Sequence, residues 1–328
     1  MKARLLEITR PRELSIREVE VPEPDVDELL VRTLVSAISA GTELLFYRGD
    51  IAEGTRLDET LPSLDAELRY PLSYGYASVG EVIASGTKVS RALVGRRVFG
   101  FVPHRSHFVV READAFVLPQ DADVERAAFL PTAETAVNVL LDAAPRIGER
   151  ALVVGQGIVG LITTALLARF PLERLWTLES LAHRRVVSTR LGAARALSPG
   201  ELEADDFDLS IELSGTARGL EAAIGAMGLE GRVIVASWYG DGREAVDLGT
   251  RFHRRRLRLV SSQVSRLGSV HLARWSKKRR LETAWSALSR VAVDELITHR
   301  IALEEAAEAY RLLDEHPEAC LQVLLTYT

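Results

Sequence analysis

The segment Val153-Val154-Gly155-Gln156-Gly157-Ile158-Val159-Gly160 lies near the middle of the chain and narrows the folds open to it more than any other stretch. An apolar run ends at a glycine turn, and the turn opens directly into a second apolar run that reaches Leu167. This pattern is that of a buried strand delivered into the first turn of a helix. The three glycines have separate tasks. Gly155 permits the tight turn, Gly157 lets backbone come close to a pyrophosphate, and Gly160 lets helix and strand pack closely. The helix start, with Ile158 and Val159 in its first turn, offers unpaired N–H groups and the positive end of a dipole to phosphates. A further apolar run, Leu175-Trp176-Thr177-Leu178, closes on an acid, Glu179, 24 positions after Gly155 (179 − 155). A carboxylate there accepts from the adenosine ribose hydroxyls and repels a 2′-phosphate, so the expected cofactor is NAD. The neighbouring His183, Arg184 and Arg185 leave NADP admissible, because their charge offsets that repulsion.

The texture on either side of this motif differs. Residues 1 to about 120 read as short strands and turns: Arg4–Ile8, Leu14–Val19, Glu28–Ser36, Ala77–Ser85 and Arg96–Val102, with Pro and Gly between them. Ala127–Leu141 has helical spacing. Strands over Ala151–Val154, Leu175–Glu179, Asp208–Leu213 and Arg232–Ser237 then alternate with helices over Ile158–Arg169, Ala182–Leu191 and Ala217–Met227. That alternation predicts an α/β fold with a doubly wound parallel sheet, joined to an irregular β domain. Near Leu296 the texture changes again, to Ile297–Ile301, an amphipathic helix over Leu303–Asp314 and a last strand over Cys320–Thr326. The expected domains are therefore 1–123 with 297–328, and 124–296.

Composition excludes several classes. The 328 residues carry a net charge of −5 (41 − 46), which gives no global support to a nucleic-acid partner. Cys320 is the single cysteine, so an internal disulfide is impossible. No apolar run approaches the roughly 18 residues that cross a bilayer, and Met1–Glu7 has no signal-peptide pattern. A cytoplasmic enzyme is expected.

Several stretches together resemble the medium-chain dehydrogenase/reductase superfamily: Gly41-Thr42-Glu43-Leu44-Leu45-Phe46-Tyr47-Arg48-Gly49, Gly75-Tyr76-Ala77-Ser78-Val79-Gly80-Glu81-Val82, the glycine motif, and Ile297-Thr298-His299-Arg300. The resemblance implies a GroES-like β domain closed by the C-terminal segment, with a Rossmann domain inserted in it, and a homodimer. Many members hold catalytic zinc. This chain departs at each ligand place, with Ser39-Ala40 before Gly41, Tyr76-Ala77 for a His-Glu pair and Pro131 for the third ligand. Leu45 stands for the proton-relay histidine, and the four-cysteine zinc loop is missing. Such side chains offer zinc no suitable donor set, so no zinc is expected. Among zinc-free members, the chain is similar to bacteriochlorophyllide dehydrogenases in Ile38–Glu43, in Tyr70-Pro71-Leu72 before Gly75-Tyr76, and in Cys320-Leu321-Gln322. Ala77, Glu134 and the acidic 50–70 stretch differ, which implies a substrate of its own. By family position, Arg184 touches the ribose, Ser214, Gly215 and Ser237 line the cofactor, and Thr135 lies near the nicotinamide.

Without zinc as Lewis acid, protein groups must manage the hydroxyl proton as hydride leaves. Tyr76, at a former ligand place, would face the substrate; its phenol, ordinarily near pKa 10, serves as donor or acceptor if tuned downward. Ser39 and Thr42 add hydroxyls, and Glu134 is either a buried general base or an acid favouring a helix start. His104 and His107, three apart, lack partners for a metal site, and His107 is a minor proton-transfer candidate. The run Arg251–Arg258 is a solvated face or binds a substrate carboxylate or phosphate. The acidic 50–70 stretch is a surface loop or a lid. The leading reading is a zinc-independent, NAD(P)-dependent oxidoreductase acting on a small-molecule secondary alcohol or ketone. The alternatives are an NADPH-dependent reductase of activated double bonds or quinones, and a non-catalytic dinucleotide-binding regulator.

Overall fold

The structure, a computed structural model, describes residues 1–202, 206–243 and 245–328. Its elements run in chain order as β1 (Lys2–Arg10), β2 (Glu13–Glu20), β3 (Glu28–Ala37), α1 (Ala40–Arg48), β4 (Ser78–Ser85), β5 (Arg97–Gly100), β6 (His107–Arg111), β7 (Phe116–Val117), α2 (Val124–Ala127) and α3 (Leu130–Ala143). There follow β8 (Arg150–Val154), α4 (Ile158–Leu167), β9 (Arg174–Leu178), α5 (Ala182–Arg190), β10 (Arg195–Leu197), β11 (Phe207–Glu212), α6 (Ala217–Gly225), β12 (Met227–Val235), β13 (Arg258–Ser261) and α7 (Lys277–Leu288). The chain closes with β14 (Ile297–Ala302), α8 (Ala306–Glu315) and β15 (Gln322–Thr326). The fold is α/β, with a parallel sheet and a separate β domain. Two compact units are formed, Met1–Pro131 with Val293–Thr328, and Thr132–Ala292.

In the first unit, β1 and β2 form an antiparallel ribbon, and the main sheet runs β14-β15-β3-β4-β5-β7, with β6 paired to β3. The C-terminal segment belongs to this unit's core: Tyr310, Leu313, Val323 and Leu325 pack in one apolar cluster with Leu6, Ile8 and Phe46. Ile51, Leu64 and Leu68 join the same cluster, so the 50–70 stretch is anchored by buried leucines between its acids. Its period of apolar residues was masked in the sequence by the charges around them. The first unit also holds α2, which packs on β3 and β4. For that reason the boundary between units falls after Pro131, later than the change of texture at Val124.

In the second unit the parallel order is β10-β9-β8-β11-β12-β13. Counted within the unit this is 3-2-1-4-5-6, the order of a dinucleotide-binding sheet. Side chains alternate across β8: Leu152 and Val154 enter one apolar cluster with Leu178, Phe207 and Val233, while Ala151 and Val153 enter another with Leu167, Ile211 and Ile234. Both faces are thus covered, which explains the near-continuous apolar run. At one edge β13 pairs only with β12 among the described residues, and its Leu259 and Val260 are each 36% exposed.

Some local boundaries differ from the sequence expectation. The helix expected over Ala127–Leu141 is two helices, and Pro131 sits in the first turn of α3, where its missing N–H costs nothing. The helix expected to reach Met227 stops at Gly225, and Met227 opens β12. Gly41–Arg48, quoted above only as a motif, is helical within α1. No helix among the described residues is long and apolar enough to cross a membrane.

Candidate functional site

The second unit gathers its glycine motif, Glu179, Ser214, Gly215 and Ser237 just beyond the carboxyl ends of β8, β9, β11 and β12. Ligands of open parallel sheets bind at that end. Gly155 has φ +89°, and a Cβ on it would lie 2.6 Å from the Leu213 and Ser214 backbone. A Cβ on Gly160 would lie 2.1 Å from the Gly155 carbonyl oxygen, so this contact admits glycine alone. A Cβ on Gly157 meets nothing within 4 Å, which leaves the backbone there open to an approaching group. Gln156, fully buried, braces the turn: its Nε2 donates to the Gly155 carbonyl at 2.9 Å and its Oε1 accepts from Thr164 Oγ1 at 3.0 Å.

Glu179 is joined directly to this turn. Its Oε2 accepts from Gln156 N–H at 2.7 Å, and its Oε1 accepts from Leu181 N–H at 2.9 Å and Ser180 Oγ at 3.1 Å. Arg185 donates to the Glu179 and Ser180 carbonyls at 2.8 and 2.7 Å, fixing the chain that follows β9. Arg184 lies beside it in the first turn of α5. Across the sheet, Gly215 N–H donates to Ser237 Oγ at 2.9 Å. Beneath Ser214 is a group that sequence reasoning missed: buried Glu212, which accepts from Ser214 N–H and Oγ, both at 2.6 Å, and from Tyr239 Oη at 2.6 Å. The signal was an acid ending an apolar strand, the same signal that marked Glu179.

Glu134 and Thr135 lie on α3. Glu134 does not stand alone as a buried base. Its Oε1 accepts from Arg280 Nε at 3.0 Å and Nη2 at 2.9 Å. Arg280, 1% exposed, also donates to Asn138 Oδ1 and the Val264 carbonyl, each at 2.6 Å. Burial pushes the Glu134 carboxyl up, and the Arg280 guanidinium pulls against it. Since Arg stays charged, the arrangement is a buried ion pair tying α3 to α7 and to the segment after β13. The free-base reading is revised accordingly.

In the first unit the structure brings together Ser39, Thr42 and Tyr76. Ser39 precedes α1, Thr42 lies in its first turn, and Tyr76 lies just before β4. Tyr76 Oη donates to Ser39 Oγ, with Thr42 Oγ1 at 3.4 Å. Burial pushes the Tyr76 phenol up; bonds to Ser39 and Thr42 oppose this, and the charges of Glu43 and Asp58 reinforce it. The downward tuning considered above is therefore corrected: Tyr76 is a neutral phenol, suited to donate. His107 stands apart from this cluster, bonded to Ser106 Oγ at 3.2 Å and lining a cavity of about 260 Å³ with Arg4, Arg32 and Tyr327.

The basic run 251–258 lies at the amino ends of the second unit's strands. Arg251 donates to the carbonyl of Met227, which opens β12; Arg255 donates to Asp206, just before β11; and Arg256 pairs with Glu230. This is the end of the sheet opposite the glycine motif, so the run is no anchor for a substrate carboxylate or phosphate. The places that the resemblance gives to zinc ligands hold the Ser39 and Tyr76 hydroxyls, bonded to one another, and Pro131, a donor set that does not fit zinc. Among the described residues no three His, Cys, Asp or Glu side chains converge on a common point for a metal.

No protein-family model matches the chain. It is 26% identical over 347 residues to D-guloside 3-dehydrogenase of Escherichia coli (strain K12), covering 97% of this chain and 98% of that protein. The chain is similar to alcohol dehydrogenases of the medium-chain type. A 2-desacetyl-2-hydroxyethyl bacteriochlorophyllide A dehydrogenase of Cereibacter sphaeroides is 24% identical, covering 100% of this chain and 99% of that one. Among solved structures, a protein named as a short chain alcohol dehydrogenase, from E. coli CFT073 and complexed with NADH, superposes with a TM-score of 0.80 at 19% identity, covering 99% of both chains. That likeness shows the fold.

Proposed function

We propose that this protein is an NAD-linked oxidoreductase that interconverts a secondary alcohol and its ketone without zinc, on a polyhydroxylated substrate. The observation that carries the reading is the junction of buried Glu179 with the glycine turn through Gln156 N–H. It places a carboxylate with acceptor capacity to spare beside an open Gly157 and a helix start. Gly155, Gly157, Ile158, Val159 and Gly160 would hold the pyrophosphate. Glu179 would take the ribose hydroxyls with Arg184 beside it, while Ser214, Gly215, Ser237 and Thr135 would line the remainder. When bound, the nicotinamide supplies the hydride acceptor or donor.

Tyr76, as a neutral phenol, turns its O–H from Ser39 Oγ to the substrate oxygen and stabilises its developing negative charge, the task a metal performs elsewhere, while the proton that the alcohol loses on oxidation passes to solvent water and water returns it in reduction. Ser39 and Thr42 orient that phenol and offer hydroxyls to a substrate rich in its own. Glu134, held by Arg280, orients α3 next to Thr135 and moves no proton. The likeness to a guloside dehydrogenase supports a carbohydrate-like alcohol over a tetrapyrrole. The exposed edge strand β13 suits pairing with a second copy, as a homodimer.

The deciding experiment is calorimetric titration of chelator-treated protein with NADH and with NADPH. NADH is expected to bind the more tightly. In Glu179→Gln, which keeps one acceptor oxygen and loses the charge, the preference is expected to move toward NADPH by about tenfold, or roughly 1.4 kcal/mol. If folded protein binds neither dinucleotide, the oxidoreductase reading fails. Preference of the wild type for NADPH would bring the reductase reading forward.

A further inference from the structure

The helix beneath the hydroxyl cluster begins unusually. Ser39 is the N-cap of α1, where a serine hydroxyl ordinarily accepts from an N–H of the first turn. Its side chain makes no such bond and instead accepts from Tyr76 Oη. The capping connection runs the other way, because Glu43 reaches back and its Oε1 accepts from Ser39 N–H at 2.7 Å. Glu43 is only 1% exposed, on a helix whose Leu44 and Phe46 are core residues. A carboxylate in such surroundings is stable only when donors surround it. Tyr310 Oη donates to its Oε2, and His104 Nε2 lies 3.0 Å from the same atom. Those bonds and the Ser39 N–H outweigh burial and hold the carboxyl below its ordinary range.

His104 is itself fully buried. Its Nδ1 lies 2.7 Å from Ser36 Oγ, and Ser36 Oγ lies 2.7 Å from Tyr327 Oη. Nε2 faces Glu43, Nδ1 shares a bond with Ser36 Oγ, and Ser36 Oγ shares one with Tyr327 Oη, so each of these polar groups has a partner. The imidazole occupies space that only a glycine leaves open: a Cβ on Gly75, beside Tyr76, would lie 2.7 Å from His104 Cδ2. This array consumes a buried acid and a buried histidine, and its outlet toward the candidate site is the backbone of Ser39.

We propose that Glu43 and His104 are positioning residues for the reaction. By capping Ser39 from behind, Glu43 frees the Ser39 hydroxyl to hold the Tyr76 phenol, and His104, seated over Gly75, holds Glu43. The inference rests on the reading of Ser39 and Tyr76 as catalytic groups. Without Glu43, the Ser39 hydroxyl turns to the free N–H groups of α1 and Tyr76 loses its partner.

A double-mutant cycle in the full chain tests this. Glu43→Gln is expected to lower kcat for alcohol oxidation about 100-fold, the scale of a misplaced catalytic group, with NADH affinity unchanged. In a Ser39→Ala background the same substitution should cost almost nothing further, because the group it positions is already gone. Equal losses in both backgrounds would overturn the proposal. A second measurement needs no turnover and so separates this inference from the proposed function. The phenol Cζ resonance of Tyr76 in ¹³C-labelled protein should move in Glu43→Gln, and in the milder Tyr310→Phe, in the direction that Ser39→Ala moves it. A resonance that Ser39→Ala shifts but Glu43→Gln and Tyr310→Phe leave in place would refute the positioning role even in a protein that turns over no alcohol.

Discussion

Arg280→Met is expected to destabilise the second unit by about 3–5 kcal/mol, the usual cost of breaking a buried ion pair from one side. Methionine matches much of the arginine volume, so the loss reports on polar partners and not on a cavity. Three acceptors are left behind: the Glu134 carboxylate, Asn138 Oδ1 and the Val264 carbonyl. Since the chain has two units, unfolding need not be all-or-none, and the measurement is urea-dependent hydrogen exchange of α3 and α7 amides. Adding Glu134→Gln should recover part of the loss, because no unpaired charge then remains buried. A destabilisation under about 1 kcal/mol would place the pair at the level of a surface salt bridge and refute the buried-hub description.

Tyr76→Phe is expected to lower kcat by about 10²- to 10⁴-fold, the range over which a positioned proton donor contributes. Loss of the hydroxyl leaves the packing of the ring intact, so thermal stability and NADH affinity should hardly change. The pH profile gives an independent check. Burial holds the phenol above its ordinary value, so Tyr76 stays protonated and able to donate from neutral pH to beyond about pH 10. Ketone reduction should therefore show no loss assignable to Tyr76 below that point, while alcohol oxidation, which must release a proton, should rise with pH. A reduction rate that falls with an apparent pKa near 7 or 8 in wild type, and not in Tyr76→Phe, would mean that the phenol is tuned downward after all.

Particular residues show why some of the site was legible in the chain and some was not. The Gly155–Gly160 turn and Glu179 could be read because their constraint is local: a strand, a turn and a helix follow one another, and each glycine answers to a nearby backbone contact. Ser214, Gly215 and Ser237 were placed by resemblance, and parallel pairing of β11 and β12 brings their ends together. Glu134 was visible as an acid in an apolar stretch, but its partner Arg280 stands 146 positions away, in a run of lysines and arginines that no local pattern marks as buried. His104 seemed to lack a partner for the same reason, since Glu43 is 61 positions from it. The buried leucines of the 50–70 stretch were hidden among six acids and two basic residues.

The sequence by itself determined the α/β class, the parallel sheet and the glycine turn that leads from β8 into α4, because hydrophobic period and glycine chemistry act between neighbours along the chain. Only the tertiary structure decided which charges are structural and which are free to act. It paired Glu134 with Arg280, surrounded Glu43 with His104 and Tyr310, kept Tyr76 a neutral donor, and set the arginine run at the far end of the sheet. Those outcomes depend on desolvation and on partners brought together across long stretches of chain, and neither quantity is a property of a local pattern.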